Sequence, residues 1–179
     1  STGMRNNAII SNEASLALPG SFMLGDTHFI TGEQRDYRTL NFTPLDRNMA
    51  RQALGIPSND YMLLVKDDFQ QATTTIQLLP ELLQQLPANK TGQLFFMGGE
   101  LDLPDPQFCK GLASLDAYLE SSQCRWKWFF TGQKPERLLK YYYSAANMVI
   151  LSLNSNTEKL LELFQSLLNP ITANTFKPA

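Results

Sequence analysis

The sequence predicts an open three-layer α/β sandwich with a mostly parallel, Rossmann-like sheet, preceded by a short β-hairpin. From residue 43 onward, four short and mostly apolar runs alternate with segments of helical periodicity, and short loops join them. Hydrophobic residues make up 43% of the 179 residues, which suffices for a proper core. Because helices join the successive strands, we expect parallel pairing with right-handed crossovers.

Three regions are predicted along the chain. Residues 1–42 form an N-terminal arm and a hairpin, in which two β-prone runs, 21–24 and 27–31, flank Gly25-Asp26. Glycine supplies the positive φ that a two-residue turn needs. Residues 43–170 form the α/β domain, and residues 171–179 form a tail.

The helices of the domain carry recognisable start and stop signals. The first is predicted to begin at Thr43-Pro44, a hydroxyl cap followed by proline, and to end at Gly55. The second covers residues 71–86 and contains Pro80, which should kink or split it. Further helices are expected over residues 107–119, from Pro135, and over residues 158–168.

The strands of the domain are predicted over residues 61–65, 93–97, 126–130 and 148–153. Such apolar runs are typical of strands that are covered on both faces. We therefore expect the central residue of each run to be almost fully buried. These residues are Leu64, Phe96, Phe129 and Ile150.

A ligand site is predicted where the parallel strands end, because open parallel sheets bind ligands outside the carboxyl ends of their strands. Small and polar residues follow all four strands there. They are Lys66, Asp67, Gly98, Gly99, Thr131 and Asn154. The alternative is that these residues serve only as turns and helix caps.

Neither a catalytic group nor a metal or cofactor site is predicted. The chain lacks the glycine-rich phosphate motifs, and its single histidine, His28, has no motif partner. Asp67 and Asp68 could hold Mg²⁺, but a helix cap beside a solvated carboxylate explains them better.

A second candidate surface is a run of three tyrosines on the predicted helix after Pro135. Three successive helical residues point in different directions, so they cannot all be buried. Exposed tyrosine is common at protein interfaces, which nominates Tyr141 and Tyr143 for contact with a protein partner or with the remainder of a larger chain.

Charge and composition exclude several classes of function. The net charge is −2 and no basic stripe occurs, which argues against nucleic-acid binding. No apolar run approaches the roughly 20 residues of a membrane span. With two cysteines and no secretory signal at its start, the chain is expected to be cytoplasmic.

Residues 41–154 resemble the donor-side, C-terminal half of glycosyltransferases with two Rossmann-like domains. Three segments carry the resemblance: Phe42-Thr43-Pro44 with Arg47, Arg51 and Leu54-Gly55-Ile56-Pro57; Gln93 to Gly98; and Phe129 to Leu151, including Ala145-Ala146-Asn147. The resemblance implies a Rossmann-like fold and a nucleotide or nucleotide-sugar ligand.

The functional positions of that family do not carry over. It places an Arg and a Lys after the first strand to hold the donor diphosphate, whereas this chain has Lys66-Asp67-Asp68 there. Its paired glutamates after the fourth strand have no equivalent in Asn154-Ser155-Asn156. The chain therefore resembles that half without its catalytic residues.

A weaker resemblance is to the receiver domains of two-component signalling. Asp67 and Asp68 match the two acids after the first strand of that family, and Thr131 matches its hydroxyl, but the phosphoacceptor Asp and the final Lys are missing. Three functions follow as expectations: a non-catalytic binding or regulatory module, the nucleotide-sugar-binding half of a glycosyltransferase, and a degenerate receiver-like domain that contacts proteins.

Overall fold

The described part of the chain forms an α/β sandwich around one six-stranded sheet. The structure is a computed structural model that describes residues 20–31, 40, 42–67, 73–85, 91–98, 106–121, 125–151 and 162–166. The strands are β1 (Gly20–Leu24), β2 (Thr27–Thr31), β3 (Tyr61–Lys66), β4 (Gly92–Met97), β5 (Trp126–Gly132) and β6 (Met148–Leu151). The helices are α1 (Arg47–Leu54), α2 (Thr73–Gln84), α3 (Pro106–Ser121) and α4 (Glu136–Ala145), and residues 162–166 are also helical.

The order of strands across the sheet is β1-β2-β6-β3-β4-β5. Only the hairpin pair β1–β2 is antiparallel, and the other four neighbouring pairs are parallel. The predicted fold class is therefore confirmed. The hairpin does not stand apart from the α/β domain, because β2 pairs along its length with β6, from His28 opposite Met148 to Thr31 opposite Leu151.

Side chains alternate between two hydrophobic cores, one on each face of the sheet. In β3, Leu63 and Val65 enter the core shared with α2, α3 and Phe164, whereas Met62 and Leu64 enter the core shared with α1 and α4. Both faces of this strand are thus covered, which explains its continuous apolar sequence.

Of the four residues expected at the centres of buried strands, three are fully buried. Leu64, Phe96 and Ile150 are 0% exposed, but the expectation for Phe129 is wrong, since its side chain is 40% exposed. The reason is the position of β5, which lies at the edge of the sheet beyond β4. An apolar strand at an edge lacks a neighbour on one side.

The start of the first helix differs from its prediction, and of the two alternatives for the second helix the split is excluded. The first helix begins after Asp46, not at Thr43-Pro44, because the Asp46 carboxylate accepts a hydrogen bond from the Met49 amide at 3.0 Å. Its predicted end is correct, with Gly55 in the left-handed conformation at φ 72°. Helix α2 continues through Pro80 and is not split.

Candidate functional site

The carboxyl edge of the sheet, where the parallel strands end, contains four of the six residues predicted to bind a ligand. Lys66 is the last residue of β3 and Asp67 follows it. Gly98 follows β4, and Thr131 is the second-to-last residue of β5. Because these three strands are neighbours in the sheet, the four residues share one stretch of its edge. Gly99 and Asn154 lie outside the described residues.

The main chain is tightly packed at this edge. The Asp67 amide donates to the Met97 carbonyl at 3.1 Å, and the Gly98 amide donates to the Gly132 carbonyl at 2.9 Å. Gly98 has φ 114°, and a Cβ placed on it would lie 2.0 Å from the Asp67 carbonyl oxygen. Only glycine can occupy this position, because any side chain would separate the ends of β3 and β4.

Thr131 owes its place to an irregularity in β5. The register between β4 and β5 shifts after Phe96, so that Met97 lies opposite Gly132 and Thr131 is the extra residue. Its hydroxyl lies 3.3 Å from the Phe96 carbonyl and 3.0 Å from the Gly132 carbonyl, and donates to the main chain. The oxygen can still accept a hydrogen bond from a ligand.

Lys66 and Asp67 supply the charges of the carboxyl edge. Both are half-buried, and they are successive in the sequence, so the end of β3 carries a cation and an anion. Such an arrangement can bind a ligand that carries both an anionic group and hydroxyl groups. His28 lies at the opposite end of the strands, where its amide donates to the Asn147 carbonyl at 3.1 Å. Burial lowers the pKa of His28, and the nearby Arg47 lowers it further.

A buried polar cluster at the amino end of the strands was missed by sequence reasoning. It consists of Thr27, Arg51 and Asn147, gathered at the C-terminal end of α4, and is called the Arg51 cluster here. The Thr27 hydroxyl lies 2.8 Å from the Tyr143 carbonyl and 2.9 Å from the Ala146 carbonyl. The cluster satisfies helix carbonyls that have no partner within α4.

Arg51 is the centre of that cluster and is only 2% exposed. Its nitrogens donate to five acceptors, namely the carbonyls of Ala145 (2.9 Å), Pro57 (3.2 Å), Ser58 (2.9 Å) and Asp60 (2.7 Å), and Oδ1 of Asn147 (2.7 Å). The same Oδ1 accepts from the Met62 amide at 2.8 Å. Burial lowers the pKa of Arg51, as does Arg47, while Asp60 opposes the shift. These contacts assign the cluster a structural role.

The two tyrosines nominated for protein contact lie in different environments. Tyr143 is 5% exposed, with ring centroids 5.5 Å from Phe29 and 5.3 Å from Phe42, and burial raises its pKa to about 12. It cannot reach a partner without opening the core. Tyr141 is half-exposed, and Lys140 Nζ lies 5.7 Å from the centroid of its ring. The tyrosine helix α4 therefore offers Tyr141 and not Tyr143 as a contact residue.

Comparison of the sequence with models of known families and with curated proteins finds no match. Within the described ranges, no group of three or more His, Cys, Asp or Glu side chains could hold a metal ion. None of the helices in the described part of the chain is long and apolar enough to cross a membrane.

Proposed function

We propose that this chain is a non-catalytic binding module whose ligand site is the carboxyl edge formed by β3, β4 and β5. The observation that carries the proposal is the conformation of Gly98, which brings the end of β4 against the Asp67 carbonyl. This contact fixes the ends of β3 and β4 against each other, so the polar groups beside Gly98 are held in defined positions at the edge. Lys66, Asp67 and Thr131 then provide polar groups on either side of that glycine.

The charges at this edge favour a nucleotide or nucleotide sugar as the ligand. The Lys66 ammonium would bind a phosphate oxygen, and the Asp67 carboxylate would accept hydrogen bonds from sugar hydroxyls. Binding without catalysis fits the described residues, among which the edge carries no histidine, cysteine or serine placed as a nucleophile beside a base. The resemblance to a glycosyltransferase half favours the same ligand class, and activity as part of a larger enzyme stays an alternative.

A protein contact through the exposed part of α4 is the competing proposal, and it also covers the receiver-like alternative. The half-exposed Tyr141 ring favours it, since aromatic side chains are enriched at interfaces. Under this proposal the carboxyl edge consists of turns and caps only.

A thermal-shift screen against nucleoside diphosphates, nucleotide sugars and cyclic dinucleotides tests the ligand proposal. A ligand at 100 times its Kd stabilises the folded state by about 2.7 kcal/mol. We expect a member of the panel to raise the Tm, and Lys66→Ala or Thr131→Val to abolish that shift. The matched control is Lys127→Ala, which removes an exposed lysine from the other end of β5.

Two results would overturn the ligand proposal. One is the absence of any stabilising ligand in the panel, and the other is wild-type binding by the Lys66→Ala variant. Loss of a ligand's effect in Tyr141→Ala with retention in Lys66→Ala would instead favour the helix α4 surface.

A further inference from the structure

A groove of about 550 Å³ runs beside β5, at the opposite side of the sheet from the hairpin. Its volume falls within the range of ordinary ligand-binding clefts. One wall comes from α3 and the other from β5. The lining residues are Asp116, Leu119, Glu120, Trp126, Lys127, Trp128 and Phe129.

The β5 residues of that lining show that the groove follows the edge of the strand. Trp126, Lys127, Trp128 and Phe129 are successive, and side chains of successive strand residues point to opposite faces of a sheet. A cavity above one face would be lined by alternate residues only. This one is lined by both sets, so it lies alongside the backbone. In the described ranges β5 pairs with β4 on one side and with no strand on the other.

We propose that the β5 groove binds an extended peptide segment of a partner protein, which adds to the sheet as a further strand and carries basic residues on its α3 side. An unpaired strand edge offers backbone donors and acceptors that an extended chain can satisfy in register. The exposed Phe129 and half-buried Trp128 supply apolar area beside that edge.

The preference for basic residues comes from α3. Asp116 and Glu120 are exposed, one helical turn apart, and both line the groove. The Trp128 indole donates to Asp116 Oδ1 at 3.0 Å, which fixes the tryptophan against the helix. A Lys side chain entering here would lay its alkyl stem on Leu119 and Trp128 and bring its ammonium to the two carboxylates. Lys127, on the other face of β5, disfavours a basic residue there.

The same charges disfavour a second copy of this chain as the occupant. Antiparallel pairing of β5 with its symmetry mate keeps each α3 on the same face of the joined sheet. Asp116 and Glu120 of the two copies would then face each other across the axis, and like charges in contact oppose association. A basic peptide would instead be attracted by these carboxylates.

The proposal is tested with a fluorescein-labelled peptide of alternating Lys and Thr residues, seven residues long, titrated with the whole chain and read by fluorescence anisotropy. We expect the affinity for this Lys-Thr peptide to decrease with added salt. A control peptide with Glu in place of each Lys, the Glu-Thr peptide, is expected to bind at least tenfold more weakly. N-methylation of alternate backbone amides in the Lys-Thr peptide removes donors without changing its charge. Two such peptides are made, one methylated at the odd-numbered amides and one at the even-numbered amides, and they are called the two N-methylated registers. One of them is expected to lose at least tenfold in affinity, because only one set of amides faces the edge of β5.

Variants of the chain locate the binding surface. Glu120→Lys is expected to weaken binding at least tenfold, whereas Glu136→Lys, a reversal of an exposed glutamate on α4, is expected to leave it unchanged. An unchanged Tm of each variant shows that folding is intact. The proposal is overturned if both N-methylated registers bind as well as the parent peptide or if Glu120→Lys binds normally. It is also overturned if sedimentation shows a dimer that the Phe129→Lys change dissociates.

Discussion

Replacement of Arg51 by methionine should strongly destabilise the protein. Methionine retains an unbranched apolar stem but lacks the guanidinium, so five hydrogen bonds are lost. Two of these reach the Ala145 carbonyl and the Asn147 amide oxygen at the centre of the Arg51 cluster. The other three go to the loop before β3, where water can replace the donor. Two hydrogen bonds to a charged donor, at about 1.5–2.5 kcal/mol each, give a loss of about 3–5 kcal/mol.

That loss is large against the roughly 5–15 kcal/mol by which domains are stable. For a chain of this length it corresponds to a decrease in Tm of roughly 6–20 °C. Urea unfolding followed by circular dichroism measures it directly. Arg51→Lys should recover little, because one ammonium group cannot reach acceptors on both the loop before β3 and the end of α4.

Two controls make the Arg51 result specific. Arg137→Met, at an exposed position on α4, should change the free energy of unfolding by less than about 0.5 kcal/mol. A double-mutant cycle with Asn147→Ala should give a coupling energy above about 0.5 kcal/mol, since the two side chains are in contact. An Arg51→Met variant within 1 kcal/mol of wild type would refute the structural role of the cluster.

Three further predictions follow from burial, backbone conformation and charge. Gly98→Ala should lower the free energy of unfolding by more than about 2 kcal/mol, because the new Cβ would meet the Asp67 carbonyl oxygen. Gly55→Ala should lower it by only about 1 kcal/mol, since no atom lies within 4 Å of that Cβ. Equal losses of the two variants in urea unfolding would contradict this. Phe96→Ala should lower the free energy of unfolding by about 3–5 kcal/mol, and Phe129→Ala by less than half of that, because Phe129 is 40% exposed. A larger loss for Phe129→Ala than for Phe96→Ala in the same assay would refute the assignment of β5 as an edge strand. Since the pKa of His28 is lowered in the folded state, the unfolded state binds more protons below pH 6.5, so stability should fall as the pH decreases through that value. His28→Gln should remove this slope in unfolding measured between pH 7.5 and 5.5, and a slope that persists there would show that another group causes it.

The fold class was predictable because a strand that is buried on both faces has an almost continuous apolar sequence. β3 and β6 are apolar at nearly every position, and each has a strand on either side. β5 was misjudged since its aromatic residues resemble those of a central strand. Lys127, exposed at the second position of β5, was the available signal, because charged residues commonly mark edge strands.

The positions of the candidate site were partly predictable and the Arg51 cluster was not. The ends of parallel strands meet at one edge whatever their sequence, so Lys66, Gly98 and Thr131 could be placed together from periodicity alone. A charged residue in a short helix is normally assigned to the surface. The burial of Arg51 depends on carbonyls from the loop before β3 and from the end of α4, and local pattern does not show such tertiary contacts.

The position of β6 between β2 and β3 has a consequence for folding during synthesis. Among the described residues β6 is the last strand along the chain, yet it separates the hairpin from the rest of the sheet. The acceptors of Thr27 at the end of α4 lie 116 and 119 residues further along the chain, and Ala145 lies 94 residues after Arg51. The pairings of β2 and β3 with β6 can form only after this late segment has been synthesised. Such long-range pairing slows folding and leaves apolar strand edges exposed in the meantime, which makes an incomplete chain prone to aggregation.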